Sequence, residues 1–408
     1  VFKSVRERLT LRNFVLSIQH VFAMFGATVL VPLITGMDIG VALVASGVGT
    51  LIYIACTKGK VPVYLGSSFA YLAAIGAASA AGGFESVYVG LMVVGVIYMA
   101  VATTIRYTGN GWIKRLLPPV VVGPMIIIIG LSLAGVAVSS AGLNGGQGWE
   151  IPLVAAITFA TVVGVALKGK GFYRIVPFLI AIVVGYLVAW PLGLSDPINA
   201  LSGAGLFGVP NFTFLGTYAL DWSAVLMFAP IAFVTMAEHI GDHTVLGEIC
   251  DKDFITDPGL ENTLMGDGIA TFVSAAIGGP ANTTYGENTG AVAMTGVKSA
   301  FVTGMAAVFA ILLGFITPVQ VLMADIPWAV LGGMTIVLYG LIAGNGVKVL
   351  VKSKVDLGNM RNLIIVATML VIGLGGAFIQ INEAIGLTGM SFAAVVGIVL
   401  NLVLPKEA

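Results

Sequence analysis

The sequence predicts an all-α polytopic membrane protein: fourteen transmembrane segments in a seven-plus-seven inverted repeat, with short extended stretches breaking the third and tenth spans. Three observations carry this. The 408 residues are 58% hydrophobic and only 9% charged, with a mean hydropathy of +1.04, where a soluble chain carries about 25% charged residues. All 19 Lys and Arg fall on one side when the apolar runs are alternated across a bilayer. One stretch between two apolar runs, from Pro280 to Gly290, is too polar for an ordinary span.

Apolar runs bounded by Gly, Pro or charge place the first seven spans near 13–35, 40–57, 62–82, 85–105, 118–138, 152–167 and 174–191. The second seven lie near 223–247, 262–278, 280–296, 299–317, 327–346, 361–378 and 384–404, and the polar connection from Leu192 to Asp221 divides the sets. The basic start, Lys3 to Arg12, followed by the apolar run Phe14 to Ile34, has the outline of a signal peptide. The run is too long for one and lacks a small-residue cleavage site, so it reads as the first span. With the N-terminus in the cytoplasm, Lys3, Arg6, Arg8, Arg12, Lys58, Lys60, Arg106, Lys114, Arg115, Lys168, Lys170 and Arg174 all lie inside. Lys252, Lys298, Lys348, Lys352, Lys354, Arg361 and Lys406 follow on the same side, and both termini are cytoplasmic. If the segment at 62–82 were re-entrant, the next basic clusters would move outside. It is therefore expected to cross, as is 280–296. The 54 Gly fit close helix packing in lipid. Cys56 and Cys250 fall near cytoplasmic ends and are expected as free thiols.

Seven crossings per half is odd, so the second half must be inverted relative to the first. Weak echoes agree. Gln19-His20 matches Glu238-His239 at an offset of 219, and Pro62 and Phe69 match Pro280 and Glu287 at 218.

Length explains the breaks. As one helix, Ala281 to Thr295 reaches only ~22 Å, short of a hydrocarbon core of ~30 Å. Extending Ala281 to Tyr285 gives ~16 Å, and a helix from Glu287 adds ~14 Å. Thr283, Thr284 and Tyr285 favour a strand, and Gly286 is expected to permit the turn. The same plan fits Val61 to Gly66, then Ser67-Ser68-Phe69, then an Ala-rich half-helix to Ala81. The two extended pieces can pair, and the half-helices then aim their free N–H groups at one another. A small ligand with carbonyl oxygens suits that gap.

Four carboxylates lie within the spans: Glu238, Asp242, Asp267 and Glu287. Glu238 and Asp242, four residues apart, share a helix face. Such acids either lock helices together or mark a substrate or ion path. Function is favoured for Glu238, Asp242 and Glu287, and is evenly balanced for Asp267, which is expected near the cytoplasmic end of its helix. No Lys or Arg in the spans can hold them charged, so a proton-linked cycle follows, with Asp242, Glu238 and Glu287 all open as the carrier. His20 and His239 suit packing or hydrogen bonding, and His243 is expected close to the inner face. Phe69, Tyr285 and Tyr339, near the breaks, are placed to stack on a flat ligand. No metal spacing, nucleophile elbow or phosphate loop is visible, which argues against an enzyme or an ATP-driven pump.

Glu287-Asn288-Thr289-Gly290-Ala291-Val292-Ala293-Met294-Thr295-Gly296 resembles the signature of the nucleobase–ascorbate transporter family. Ser17-Ile18-Gln19-His20, Leu65-Gly66-Ser67-Ser68-Phe69, Ala237-Glu238-His239-Ile240-Gly241-Asp242 and Thr283 to Asn288 look like that family's other blocks, so the resemblance spans the chain. It is greatest to the bacterial members that carry uracil with a proton. The resemblance implies a core domain of 1–116 and 223–317 (spans 1–4 and 8–11) and a gate domain of 117–222 and 318–408 (spans 5–7 and 12–14). It implies that Glu238 and Glu287 accept hydrogen bonds from the base, that Phe69 and Gly286 donate through backbone amides, and that Tyr285 and Tyr339 line the pocket. Ser68, His239 and Asn288 are expected in support, with H+ as coupling ion, no metal or cofactor, and a homodimer in the inner (cytoplasmic) membrane. Some uracil carriers have His at the position of Asp242. Purine-type members usually have Gln where this chain has Glu287, so uracil is favoured over xanthine or urate, and a purine or ascorbate carrier of the same family is the rival reading. An anion exchanger or channel can share the architecture but should show a cation near the breaks.

Overall fold

The computed structural model of the protein describes residues 10–405 apart from 215–217, 219, 383 and 384. Lys3, Arg6, Arg8 and Lys406 of the charge argument lie outside the described residues. In chain order the elements are α1 (Leu11–Thr35), α2 (Ile39–Cys56), β1 (Leu65–Ser67), α3 (Leu72–Thr108), α4 (Gly111–Leu116), α5 (Pro119–Ser132), α6 (Ala134–Ser140), α7 (Glu150–Lys168), α8 (Pro177–Ala189) and α9 (Pro197–Leu201). Then come α10 (Trp222–Cys250), α11 (Leu260–Ala276), β2 (Asn282–Thr284), α12 (Gly286–Thr295), α13 (Ala300–Leu313), α14 (Thr317–Ala324), α15 (Trp328–Lys352), α16 (Met360–Leu374), β3 (Phe378–Asn382), β4 (Ile385–Thr388) and α17 (Gly389–Val403).

Among the described residues, seven helical stretches are long and apolar enough to cross a bilayer, and four shorter apolar helices accompany them. The longest stretch, Phe69–Thr108, contains two helices. Gly83 at φ 73°, ψ −177° breaks it where the sequence separates the third and fourth spans. Helix starts carry the caps their sequences provide: Asp38 Oδ1 accepts from Val41 N at 2.8 Å, and Asp221 Oδ1 from Ser223 N at 2.9 Å.

One expectation fails at the C-terminal end. The spans at 361–378 and 384–404 were expected as plain helices. Instead α16 stops at Leu374, and the antiparallel pair β3–β4 fills the interval before α17 starts at Gly389. Gly376 at φ 69° ends helical continuation.

Glycine sets how closely the helices pack. A Cβ on Gly95 of α3 would lie 2.7 Å from the carbonyl oxygen of Gly268 in α11, and one on Gly268 would lie 2.9 Å from that of Gly95. Backbones touch there, as small-residue packing in lipid requires. Helices α2, α3, α10, α11 and α13 form one packed group. Helices α5, α7, α8, α15, α16 and α17 form a second, and α10 touches α17 while α1 touches α8.

The strands β1 and β2 lie inside the first group. They pair antiparallel with Leu65 opposite Thr284, Gly66 opposite Thr283 and Ser67 opposite Asn282. Tyr285 N to Tyr64 O and Ser68 N to Ala281 O extend the ladder by one rung at each end. A two-stranded ribbon in apolar surroundings has two open edges, and each unpaired backbone group there is costly. Neighbouring hydroxyls and amides close those edges. Thr50 Oγ1 accepts from Leu65 N at 2.9 Å, Ser46 Oγ donates to Leu65 O at 2.8 Å, and Thr271 Oγ1 donates to Asn282 O at 3.1 Å. Ser67 Oγ donates to Thr28 O at 3.0 Å, while the Asn282 amide reaches Ala45 O and Ala270 O.

Candidate functional site

The site forms where each strand turns into a helix. After β1 the chain makes a 3-10 turn at Phe69–Tyr71 and enters α3; after β2 it enters α12 at Gly286. Glu287 is thus in the first helical turn. Helix α10 runs alongside and presents Glu238 and Asp242. The Thr284 hydroxyl donates to Asp242 Oδ2. Glu287 lies near both Glu238 and Asp242. All three carboxylates stay partly exposed, although their surroundings are buried.

Phe69 is the meeting point of three buried clusters, and its ring meets Tyr339 of α15 edge-on at 6.5 Å. One ring belongs to each packed group of helices. The Tyr339 hydroxyl and Ser68 Oγ are buried without a hydrogen-bond partner among the described residues. Buried polar atoms are seldom left so, and such atoms mark places for a ligand or water. Glu287 also borders a narrow cavity walled by Gly26 of α1, Phe178 of α8 and Leu338 of α15. Its volume is about 10 Å3, about the least that admits one water.

Several sequence expectations need adjusting. The turn at Gly286 does not depend on glycine. Its φ is not positive, and a Cβ there would meet nothing within 4 Å. The glycine that the packing requires is Gly66, whose Cβ would collide with the Tyr285 ring. The Tyr285 side chain is buried, and its hydroxyl donates to Ser67 O at 3.0 Å and accepts from Thr28 Oγ1 at 3.3 Å. It braces the ribbon. Asp267 sits mid-way along α11, fully buried, and bonds His239 Nδ1 through Oδ2 at 2.8 Å. It was expected near the helix end because the start of α11 at Leu260 is hard to read between polar residues. His243 is buried as well. Its ring stacks on that of His239 at 3.9 Å and bonds the Tyr53 hydroxyl, while it also borders an open pocket with Gly247, Glu248 and Asp251. Asn288 Nδ2 reaches both Nδ1 and the carbonyl oxygen of His20 at 3.1 Å, tying α12 to α1. Both cysteines are free. Sequence reasoning missed Thr284 as a partner of Asp242. The available signal was its place on the strand, one residue from Thr283 and one from Tyr285 and so on the opposite face from both.

A helical membrane bundle with acids gathered at a paired break defines the class: a multi-pass membrane transporter, a permease and not an enzyme. The chain belongs to the Permease family, whose model matches residues 11–381. It is 45% identical over 408 residues to the uracil permease of Bacillus caldolyticus, covering 98% of this chain and 94% of that protein. To the uracil permease of Escherichia coli K12 it is 39% identical, covering 96% and 91%. Among solved structures it is similar to the transmembrane domain of the cyanobacterial bicarbonate transporter BicA, with TM-score 0.64, 14% identity, and 97% and 99% of the two chains covered. Murine Slc26a9, an anion transporter solved in the inward-facing state, gives TM-score 0.73 and 12% identity, covering 96% of this chain and 68% of that one. At such identity these two speak for the fold alone.

Proposed function

We propose that this chain imports uracil across the cytoplasmic membrane by proton symport. The observation that carries the reading is the convergence of Glu238 of α10 and Glu287 of α12 on the break where β1, from the first half of the chain, pairs with β2, from the second. Uracil is flat, with two N–H donors and two carbonyl acceptors. Two glutamates accept from the donors, the amides at Phe69 and Gly286 donate to the carbonyls, and Phe69 and Tyr339 cover the ring. The names of the relatives support uracil as substrate. Against an anion exchanger, neither 61–81 nor 280–296 contains a Lys or Arg.

Fourteen crossings with both termini inside fit the contacts. Segments placed inside touch one another: Lys60 bonds Asp257, Lys298 bonds Asp251 at 2.6 Å, and Lys352 reaches Glu248 at 3.5 Å. The Lys298 hydrogen bond holds the Asp251 carboxyl below its usual range. Segments placed outside do likewise: Asp38 accepts from Asn211 N, and Asp325 from the Tyr186 hydroxyl and Asp196 N. The inverted repeat has support in the ribbon. The offset of 218 carries Leu65–Thr284 onto Gly66–Thr283, and Tyr64–Tyr285 onto Ser67–Asn282, so the pairing is its own image. The two packed groups of helices correspond to the core domain (1–116 and 223–317) and gate domain (117–222 and 318–408). The working unit is a homodimer.

With Cys56 and Cys250 replaced, a cysteine at Ala204 or Gly205 is expected to react with an impermeant thiol reagent on intact cells. Lys170→Cys should react only after permeabilisation, and external labelling of it would remove the fourteen-span arrangement. Transport is tested by uracil uptake into proteoliposomes with and without an inward proton gradient, in competition with xanthine, urate and ascorbate. Gradient-independent accumulation would rule out proton symport. In Asp242→Asn, equilibrium binding of uracil should survive while accumulation against a gradient is lost. Normal gradient-driven uptake by that variant would move the coupling role to Glu238 or Glu287.

A further inference from the structure

The Thr284–Asp242 hydrogen bond joins a strand residue to a carboxylate that the base does not need. Thr284 has little freedom. It is 3% exposed and stands opposite Leu65, whose backbone is held by Ser46 and Thr50 of α2. The titratable groups that face Asp242 are Glu287 from α12 and Asp267 from α11, with Glu238 one turn back on α10. None of them carries a positive charge, so Thr284 supplies the one hydrogen-bond donor that the described residues direct at the Asp242 carboxyl.

We propose that Thr284 is a positioning residue that lets Asp242 gain and lose the coupling proton in place. The inference rests on the proton-symport reading. A hydroxyl both donates and accepts. It donates to the Asp242 carboxylate; once the carboxyl takes a proton, the hydroxyl rotates to accept from the new carboxyl O–H. One O–H bond forms on Asp242 at uptake and breaks at release, and nothing else is made or broken. In both states Asp242 Oδ2 and the Thr284 hydroxyl oxygen stay paired with each other, and the ribbon need not move. Valine has the shape of threonine and cannot do either.

The test compares Thr284→Val and Thr284→Ser with the parent, by equilibrium uracil binding and by the pH profile of gradient-driven uptake. The valine variant should bind uracil as the parent does, with its uptake profile displaced by about one pH unit, the scale of a lost hydrogen bond to a charged group. The serine variant should restore the parent profile. In an Asp242→Asn background, which keeps binding but not accumulation, adding Thr284→Val should leave equilibrium uracil binding unchanged. An undisplaced profile, a serine variant that behaves like valine, or a further loss of uracil binding in the Asp242→Asn background would each overturn the proposal. Should the valine protein not fold, Thr284→Ala is read in the same way. If the parent itself accumulates uracil without a gradient, the symport reading falls separately. The proposal is then decided by whether Thr284→Val displaces the pH dependence of uracil binding.

Discussion

Glu287→Gln is expected to weaken uracil binding by roughly a hundredfold, about 3 kcal/mol, while leaving the protein folded. Glutamine keeps the length and shape of the side chain, so the first turn of α12 and its tie to His20 through Asn288 should persist. What changes is the chemistry facing the base. A carboxylate is acceptor-only, whereas an amide is half donor, and a donor set against an N–H of the base leaves both without partners. Glu238→Gln should do the same from α10. Equilibrium binding on purified variants, with thermal unfolding as the control for folding, decides it. Parent-like binding by both variants would remove the paired-glutamate site.

Gly66→Val and Gly286→Val are expected to fail in different ways, although the two glycines occupy opposite ends of the same site. A Cβ at Gly66 enters the ring of Tyr285, which is pinned by Ser67 and Thr28 and cannot step aside. Overpacking of this kind costs about 1–3 kcal/mol or more, and here it also parts the ribbon, so little monodisperse protein should be recovered. At Gly286 the space beside Cα is open. Gly286→Val should fold, with unfolding temperature near the parent's, and lose uracil binding because the side chain fills the space the ligand needs. A Gly286→Val protein that binds uracil normally would place the ligand elsewhere.

The contrast shows what a sequence can carry. The run from Pro280 to Gly290 is legible because its polarity conflicts with its surroundings and its length falls short of the bilayer; both point to a strand followed by half a helix. The acids are legible because charge in lipid is rare. Orientation is not. Alternation along a strand says that Thr283 and Thr284 face opposite ways, but not that Asp242 waits on one side. Tyr285 reads as a ring beside a ligand, and its hydroxyl turns out to be held by backbone more than half the chain away. Asp267 was misplaced because the start of α11 is blurred by Glu261 and Asn262. The β3–β4 pair was missed because a short apolar strand and a buried helix segment look alike when only hydropathy is read.

The order in which the ribbon is made has a consequence for biogenesis. β1 leaves the ribosome more than half a chain before β2, so through most of synthesis its backbone sits in the membrane without its partner strand. Ser46 and Thr50, which bond Leu65 on both its N–H and C=O, belong to α2 and are already in place when β1 arrives. Thr28, which accepts Ser67 Oγ on its carbonyl oxygen, belongs to α1 and is earlier still. The nascent chain thus carries its own temporary partners for the first broken span. Replacing Ser46 and Thr50 by alanine should therefore harm membrane insertion of the growing chain more than it harms the finished fold.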